Sequence, residues 1–419
     1  MQIPPTKYAR SGDVNIAYQV FGGGSEYLIF IPGWCSNLDE VWNIPQLSAW
    51  LRQISIQYKL VLFDKRGTGL SDGVYEQDLP DQNQRASDLL AVMNSAGIKK
   101  AALFGLSEGG AMASLFAYRH PEMVSRLILF ACFAKWTKSE DYAYGLTVEQ
   151  HDRIKQYIFD HWGEPVGLHL MAPTVKDNIQ AQKQWATFLR RSGSPNAVKV
   201  LYEMNIKIDI REILEKIKTP TLIMHRTDDR LIEVGHSRYL NEKIKDSQLL
   251  ITEGIDHLPW YSCKPEEIIA IHTFLKEGKV TLSTKKGKSS VEDFYILFGV
   301  KDYLLTHYHE DISLSSLSKQ FGINVFKLKT GFKLLFDTSV IEFLTNTRLE
   351  RACVLLTNPS ETISSVASRV GYSYAANFSM AFKRKYGITP LQYKHKVQKG
   401  MGIGIFLACY FAFSFFLFL

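Results

Sequence analysis

Cysteine is scarce and scattered in this chain. Cys35, Cys132, Cys263, Cys353 and Cys409 form an odd set of five with no Cys-x-x-Cys pair. That argues against a disulfide framework or a zinc site and fits a reducing cytoplasm. No cluster of metal-ligating residues recurs at a recognisable spacing, so no metal and no cofactor is expected. Met1–Arg10 lacks an apolar core, which excludes a signal peptide at that point. No heptad repeat offers a coiled-coil seam, so a homodimer, although compatible with ligand control of paired DNA modules, has no support in the pattern. Surplus charge is also missing from the first two thirds. Residues 1–278 hold 31 Lys+Arg against 33 Asp+Glu, whereas residues 279–399 hold 18 against 9. The net charge of +7 therefore comes from the later part of the chain. A polyanion-binding module requires such a surplus; a solvated basic surface is the plain alternative.

What is present begins with an alternation of strand and helix. Apolar runs of strand length occur at Tyr27–Ile31, Lys59–Phe63, Ala101–Phe104, Leu127–Phe133, Thr221–His225 and Gln248–Ile251, mostly separated by helical stretches. This predicts an α/β fold, a doubly wound, mainly parallel sheet covered on both faces, preceded by a hairpin. The rhythm breaks over residues 134–218, a helical, aromatic and charged interval expected to form a cap over the carboxyl edge of the sheet. Residues 1–278 make one unit and 279–290, small, polar and basic, a linker. Residues 291–396 are all-α by pattern.

Gly105-Leu106-Ser107-Glu108-Gly109 follows the strand at Ala101 and precedes a helical run. A serine on so tight a strand-to-helix turn needs glycines around it, and the turn presents its hydroxyl above the sheet edge. The motif alone is weak, but partners follow in order. Asp229 comes after the strand at Thr221, and His257 after the strand at Gln248. In that arrangement His257 takes the proton of Ser107 while Asp229 orients the imidazole. Asp228 is the competing acid; its spacing to Leu231-Ile232 favours Asp229. The backbone amides of Trp34, after Pro32-Gly33, and of Glu108 are the expected oxyanion hole. The segments Phe30-Ile-Pro-Gly-Trp34, Phe63-Asp-Lys-Arg-Gly-Thr-Gly-Leu-Ser-Asp72 and His257-Leu-Pro-Trp260 resemble the α/β-hydrolases found fused to adenylate cyclases and transcriptional regulators. The resemblance implies either an esterase-like serine hydrolase or a domain that binds a small acyl or ester ligand, and leaves turnover open.

The later part repeats a pattern. Leu314, Leu317, Ser318, Phe321 and Gly322 align with Ile363, Val366, Ala367, Val370 and Gly371. Leu328, Phe332, Lys333 and Phe336 align with Phe378, Phe382, Lys383 and Tyr386. Each copy reads as a short helix, a glycine turn and a helix with apolar residues every four positions. Together with Arg348–Leu356 and Gly387-Ile-Thr-Pro390, these residues resemble the AraC/XylS-type DNA-binding domain over residues 291–396. The resemblance implies two helix-turn-helix units joined by a helix at Val340–Leu356, entering successive major grooves about 34 Å apart. The apolar stripes must face the core, so base-reading positions are expected opposite: Phe326, Lys329 and Thr330, then Ala375, Ala376 and Ser379. Lys333, Lys383 and Arg384, with Lys327 and Lys385, suit phosphates.

Gly400–Leu419 is a run of twenty residues without a charge. As a helix it reaches about 30 Å, enough to cross a hydrocarbon core, and Lys394, Lys396 and Lys399 precede it as cytoplasmic flanks do. A membrane tail and an apolar tail packed on a partner are both open. The expectation for the whole is a cytoplasmic, sequence-specific DNA-binding regulator whose first domain senses a small acyl compound. A serine esterase with secondary DNA binding is the rival.

Overall fold

The computed structural model describes residues 3–73, 81–280, 291–336 and 338–398. The linker expectation falls outside them from residue 281, and the tail expectation at 400–419 lies outside them entirely. Contacts divide the chain into two compact units that part between residues 282 and 283.

The first unit is built on one eight-stranded sheet, in the order β1-β2-β4-β3-β5-β6-β7-β8. The strands are β1 (Lys7–Ser11), β2 (Val14–Phe21), β3 (Glu26–Ile31), β4 (Tyr58–Phe63), β5 (Ala101–Leu106), β6 (Val124–Phe130), β7 (Thr221–Arg226) and β8 (Ser247–Thr252). The opening hairpin β1–β2 is antiparallel, β2 joins β4 antiparallel, and every later pairing is parallel. Helices α1 (Pro45–Ile54), α2 (Gln82–Ser95), α3 (Gly109–Arg119), α9 (Val234–Lys243) and α10 (Pro265–Glu277) accompany the sheet. Between β6 and β7 lie α4 (Val148–Asp160), α5 (Leu168–Met171), α6 (Ile179–Ser192), α7 (Pro195–Ile206) and α8 (Arg211–Leu214). Central strands flanked by helices lose both faces to the core, and all six residues of β5 are buried. The other runs agree with their strands to within two residues, but β6 runs three residues earlier than Leu127–Phe133. The strand begins directly after a short 3-10 turn and ends before Ala131, whose φ of 50° turns the chain away.

The segment Asp64–Asp72 folds around its own side chains. Oδ2 of Asp64 accepts the amides of Leu38 at 3.1 Å and Leu70 at 2.9 Å, binding two loops to one carboxylate. Burial pushes that carboxyl up to about 6, against the amide donors that favour its charge. Arg66 pairs with Asp88 of α2, and Asp72 accepts from Asn15 of β2. The motif is thus a brace that ties the carboxyl end of β4 to β2, α2 and the Leu38 loop.

The second unit contains α11 (Val291–Thr306), α12 (Leu314–Phe321), α13 (Val325–Phe336), α14 (Val340–Leu355), α15 (Ile363–Arg369), α16 (Ala375–Tyr386) and α17 (Pro390–Gln398). It has two small cores. Leu317, Leu328 and Phe332 pack with Val340, Phe343 and Leu344 in one; Val366, Phe378 and Phe382 pack with Leu349, Ala352 and Cys353 in the other. α14 supplies its first half to one core and its second half to the other, so it is a rod shared by both helix-turn-helix halves. Ser313 caps α12 and Thr362 caps α15, each accepting an N3 amide at 3.0 Å. Gly371 has φ of +85°, and a Cβ there would stand 2.9 Å from the carbonyl oxygens of Tyr308 and His309. That turn admits only glycine.

Candidate active site and DNA-reading surface

Ser107 sits between β5 and α3 with φ of 55°, a left-handed conformation rare for serine. Its amide is held by the carbonyl of Phe130 at 2.9 Å, and its own carbonyl accepts from Gly110 at 3.1 Å. The flanking glycines are sterically required. A Cβ at Gly105 would come 2.7 Å from Gly110 Cα, and one at Gly109 would come 2.5 Å from the carbonyl oxygens of Ile31 and Pro32. A Cβ on Gly33 would lie 3.3 Å from that of Ser107, so the Pro32–Trp34 loop runs alongside the serine.

Asp229 and His257 are brought together. The two sit 2.7 Å apart through His257 Nδ1 and Asp229 Oδ2, with side chains 2% and 1% exposed. Asp229 Oδ1 accepts the amides of Leu231 at 2.9 Å and Ile232 at 3.0 Å. Burial works to raise this carboxyl, but the adjoining imidazole and the amide bonds hold it below its usual value. An ionised carboxylate only accepts, so Nδ1 of His257 carries the proton and Nε2 is the acceptor. Asp228 is instead exposed and takes a hydrogen bond from Thr227 at 2.6 Å. His225, next to Asp229, donates from Nε2 to Ile232 O at 2.9 Å, and burial pushes its pKa down, so it stays neutral.

Sequence reasoning missed what holds the His257 loop. Arg226 at the end of β7 pairs with Glu267 through two bonds of 2.9 and 2.8 Å, and donates to the carbonyls of Asp256, Leu258, Pro259, Tyr261 and Ser262. From the cap side, one carbonyl, that of Met171, accepts the amides of His257 at 2.9 Å and Leu258 at 3.0 Å. Thr174 bonds Asp256 through its amide and its hydroxyl. No spacing rule links these residues, and only the strand-end position of Arg226 hinted at a role.

Ser107, His257, Trp34 and Glu108 all line one cavity of about 590 Å³. Its remaining wall is mainly aromatic and aliphatic, with Trp136, Tyr157, Trp185, Phe188 and Tyr202 from the cap segment, and Arg153 and Arg230 exposed at its margin. An apolar chamber with a few convergent polar groups at one end is suited to an acyl compound of small-molecule size. Among the described residues, no group of His, Cys, Asp or Glu is placed to hold a metal ion.

In the second unit Leu328, Phe332, Phe378 and Phe382 are fully buried, and the opposite faces are open. Phe326 is 74% exposed, and Lys329, Thr330 and Lys333 are exposed on the same helix. Thr330 donates its hydroxyl to Phe326 O at 2.8 Å. On α16 the outer face carries Ala376, Lys383 and Arg384, but Ala375 packs partly against the core and Ser379 is half-buried. The reason is helical geometry: position 375 is three before Phe378 and seven before Phe382, which sets it on their stripe. Asn377 and Met380 are the exposed residues that the sequence reading passed over, and Tyr374 at the N-cap is 71% exposed. Lys385 is engaged by Glu350 of α14 at 2.8 Å, which ties α16 to the rod.

Comparison with known proteins bears on both units. Residues 39–261, more than half of the chain, match the family described as serine aminopeptidase, S33. The chain belongs to that α/β-hydrolase family. Residues 317–396 match a helix-turn-helix domain, of the AraC type. The pimeloyl-[acyl-carrier protein] methyl ester esterase of Neisseria meningitidis serogroup B is 29% identical over 180 residues, 42% of this chain and 69% of that protein. The mouse serine hydrolase BPHL is 27% identical over 270 residues, 61% of this chain and 81% of its own length. An esterase from Exiguobacterium antarcticum superimposes with a TM-score of 0.57 at 22% identity, covering 65% of this chain and all of the other. That last likeness speaks to the fold alone.

Proposed function

We propose that this protein is a DNA-binding transcription regulator whose S33 hydrolase domain, residues 1–278, binds and hydrolyses a small acyl or ester compound. Residues 291–396 read the operator in this proposal. The observation that carries it is the pairing, in one chain, of a helix-turn-helix module with a buried Asp229–His257 pair whose histidine lines the same chamber as Ser107. In the reaction, Ser107 Oγ attacks the carbonyl carbon as His257 Nε2 takes its proton. The charge that develops on the carbonyl oxygen meets the amides of Trp34 and Glu108. Collapse breaks the bond to the leaving alkoxide, which takes the proton from His257. Water then repeats the sequence and releases the acid, regenerating Ser107. Asp229 stays ionised and stabilises the imidazolium.

The test is a paired measurement on the full chain. A serine-directed phosphonate should label Ser107, and DNA retention should fall with salt over about 50 to 200 mM. Labelling with no ester turnover would leave a ligand sensor; DNA retention that ignores salt would remove the regulator. Among the described residues no helix is long and apolar enough to cross a membrane. A membrane tail at 400–419 rests on composition and its lysine flank alone, and carbonate washing of full-length and 1–399 chains decides it.

A further inference from the structure

Beneath the serine turn lies a buried ionic cluster that the reaction above leaves unused. Lys65, Arg85 and Glu108 are 1%, 1% and 3% exposed. Glu108 accepts from Arg85 at Oε2, 3.0 Å away, and from Lys65 at Oε1. Lys65 Nζ also donates to the carbonyl of Gly33 at 2.6 Å. That carbonyl shares a planar trans peptide with the amide of Trp34, so the two bond vectors point in opposite directions. A cation fixed on the oxygen side sets the direction of the N–H and draws electron density through the peptide, making it a stronger donor. Glu108, gripped by the same ammonium, carries the second amide in its backbone.

We infer that Lys65 is a positioning residue for the oxyanion hole, joining its two arms and polarising the Gly33–Trp34 peptide towards the reacting carbonyl. The inference rests on the hydrolase reading of Ser107. Buried cations are costly, and the cluster holds two of them against one carboxylate. Cys35 adds no compensating anion, because burial pushes its thiol up to about 12. The uncompensated positive charge lies behind the site where negative charge develops, and there it lowers the energy of the oxyanion. Burial brings the Lys65 ammonium down to about 8, with Glu108 favouring its charge and Arg85 opposing it.

The experiment follows the rate at which a p-nitrophenyl phosphonate phosphonylates Ser107 in the full-length protein, with Ser107→Ala as background. Lys65→Met should slow the reaction about 10- to 100-fold, less than deletion of a direct donor. The double variant Lys65→Met/Glu108→Gln returns the cluster to its original net charge. It should remain slow, because the Gly33 carbonyl still lacks its cation, and its melting temperature separates that loss from the cost of leaving Arg85 without a carboxylate. Recovery of the rate in the double variant would mean that Lys65 only neutralises Glu108, and would overturn the inference. The wild-type rate should fall as pH rises through about 8 and Lys65 loses its charge. Lys65→Met should lack that alkaline fall, and an identical fall in Lys65→Met would overturn the inference. If the wild type is no faster than Ser107→Ala, the hydrolase reading itself fails.

Discussion

The two units handle charge in opposite ways. The hydrolase unit carries ionic groups deep inside: Lys65 and Arg85 on Glu108, Arg66 on Asp88, Arg226 on Glu267, and His257 on Asp229. The DNA-binding unit buries few charges, Lys301 and Glu350 among its described residues, and leaves Lys329, Lys333, Lys383 and Arg384 exposed to water. The contrast fits the two proposed tasks. A reacting carbonyl needs dipoles and charges already fixed in a dry place, where they act at full strength without reorganising. A nucleic-acid surface needs its cations hydrated until phosphates replace water and release counterions. Position in the fold, more than the kinds of residue used, separates a chemical site from a binding face.

The largest effect that would test this contrast is at the nucleophile. Ser107→Ala or His257→Ala should lower labelling and ester turnover by about three orders of magnitude or more, while DNA affinity stays unchanged. Undiminished labelling of His257→Ala would remove the triad. Next comes the buried ion pair. Arg226→Ala strands Glu267 and frees five carbonyls, so it should destabilise the hydrolase unit by about 3–5 kcal/mol. Hydrogen exchange on the full chain would reveal this as lost protection over residues 254–262, with α12–α17 unaffected. If protection there is unchanged, the arginine cage is not what holds the His257 loop.

Smaller effects are expected on the exposed side of the comparison. Asn377→Ala should relax base preference by about 1–3 kcal/mol at one position, since an asparagine amide can pair with adenine in the major groove. Binding-site selection with both chains measures this, and identical preferred sequences would exclude Asn377 from base reading. Lys383→Ala should weaken binding to all sequences alike and reduce the salt slope by about one. An unchanged slope would place Lys383 away from the phosphates.

Elements with a period were legible in the sequence. The six strand-length runs correspond to β3 through β8, because a buried parallel strand must be continuously apolar. The stripes at Leu328 and Phe332 and at Phe378 and Phe382 follow from a helix that has one buried side. Chain order and local context also directed attention to Ser107, Asp229 and His257. What escaped is whatever depends on residues distant in sequence. Lys65, Arg85 and Glu108 meet only because β4, α2 and β5 converge, and the five carbonyls around Arg226 leave no trace in residue type. The half-buried setting of Ala375 escaped for a different reason. Small residues carry no signal of facing, so its orientation had to come from the phenylalanines three and seven positions later.

The double acceptance at the Met171 carbonyl has a mechanical consequence. A cap that lifts to admit a ligand by moving α5 must surrender the amides of His257 and Leu258, and with them the seat of the imidazole. Such a motion would couple access to proton transfer, because it would loosen the loop that carries His257. A guest that props α5 away from residues 257 and 258 would therefore stay intact, and the same chamber would register its presence without consuming it.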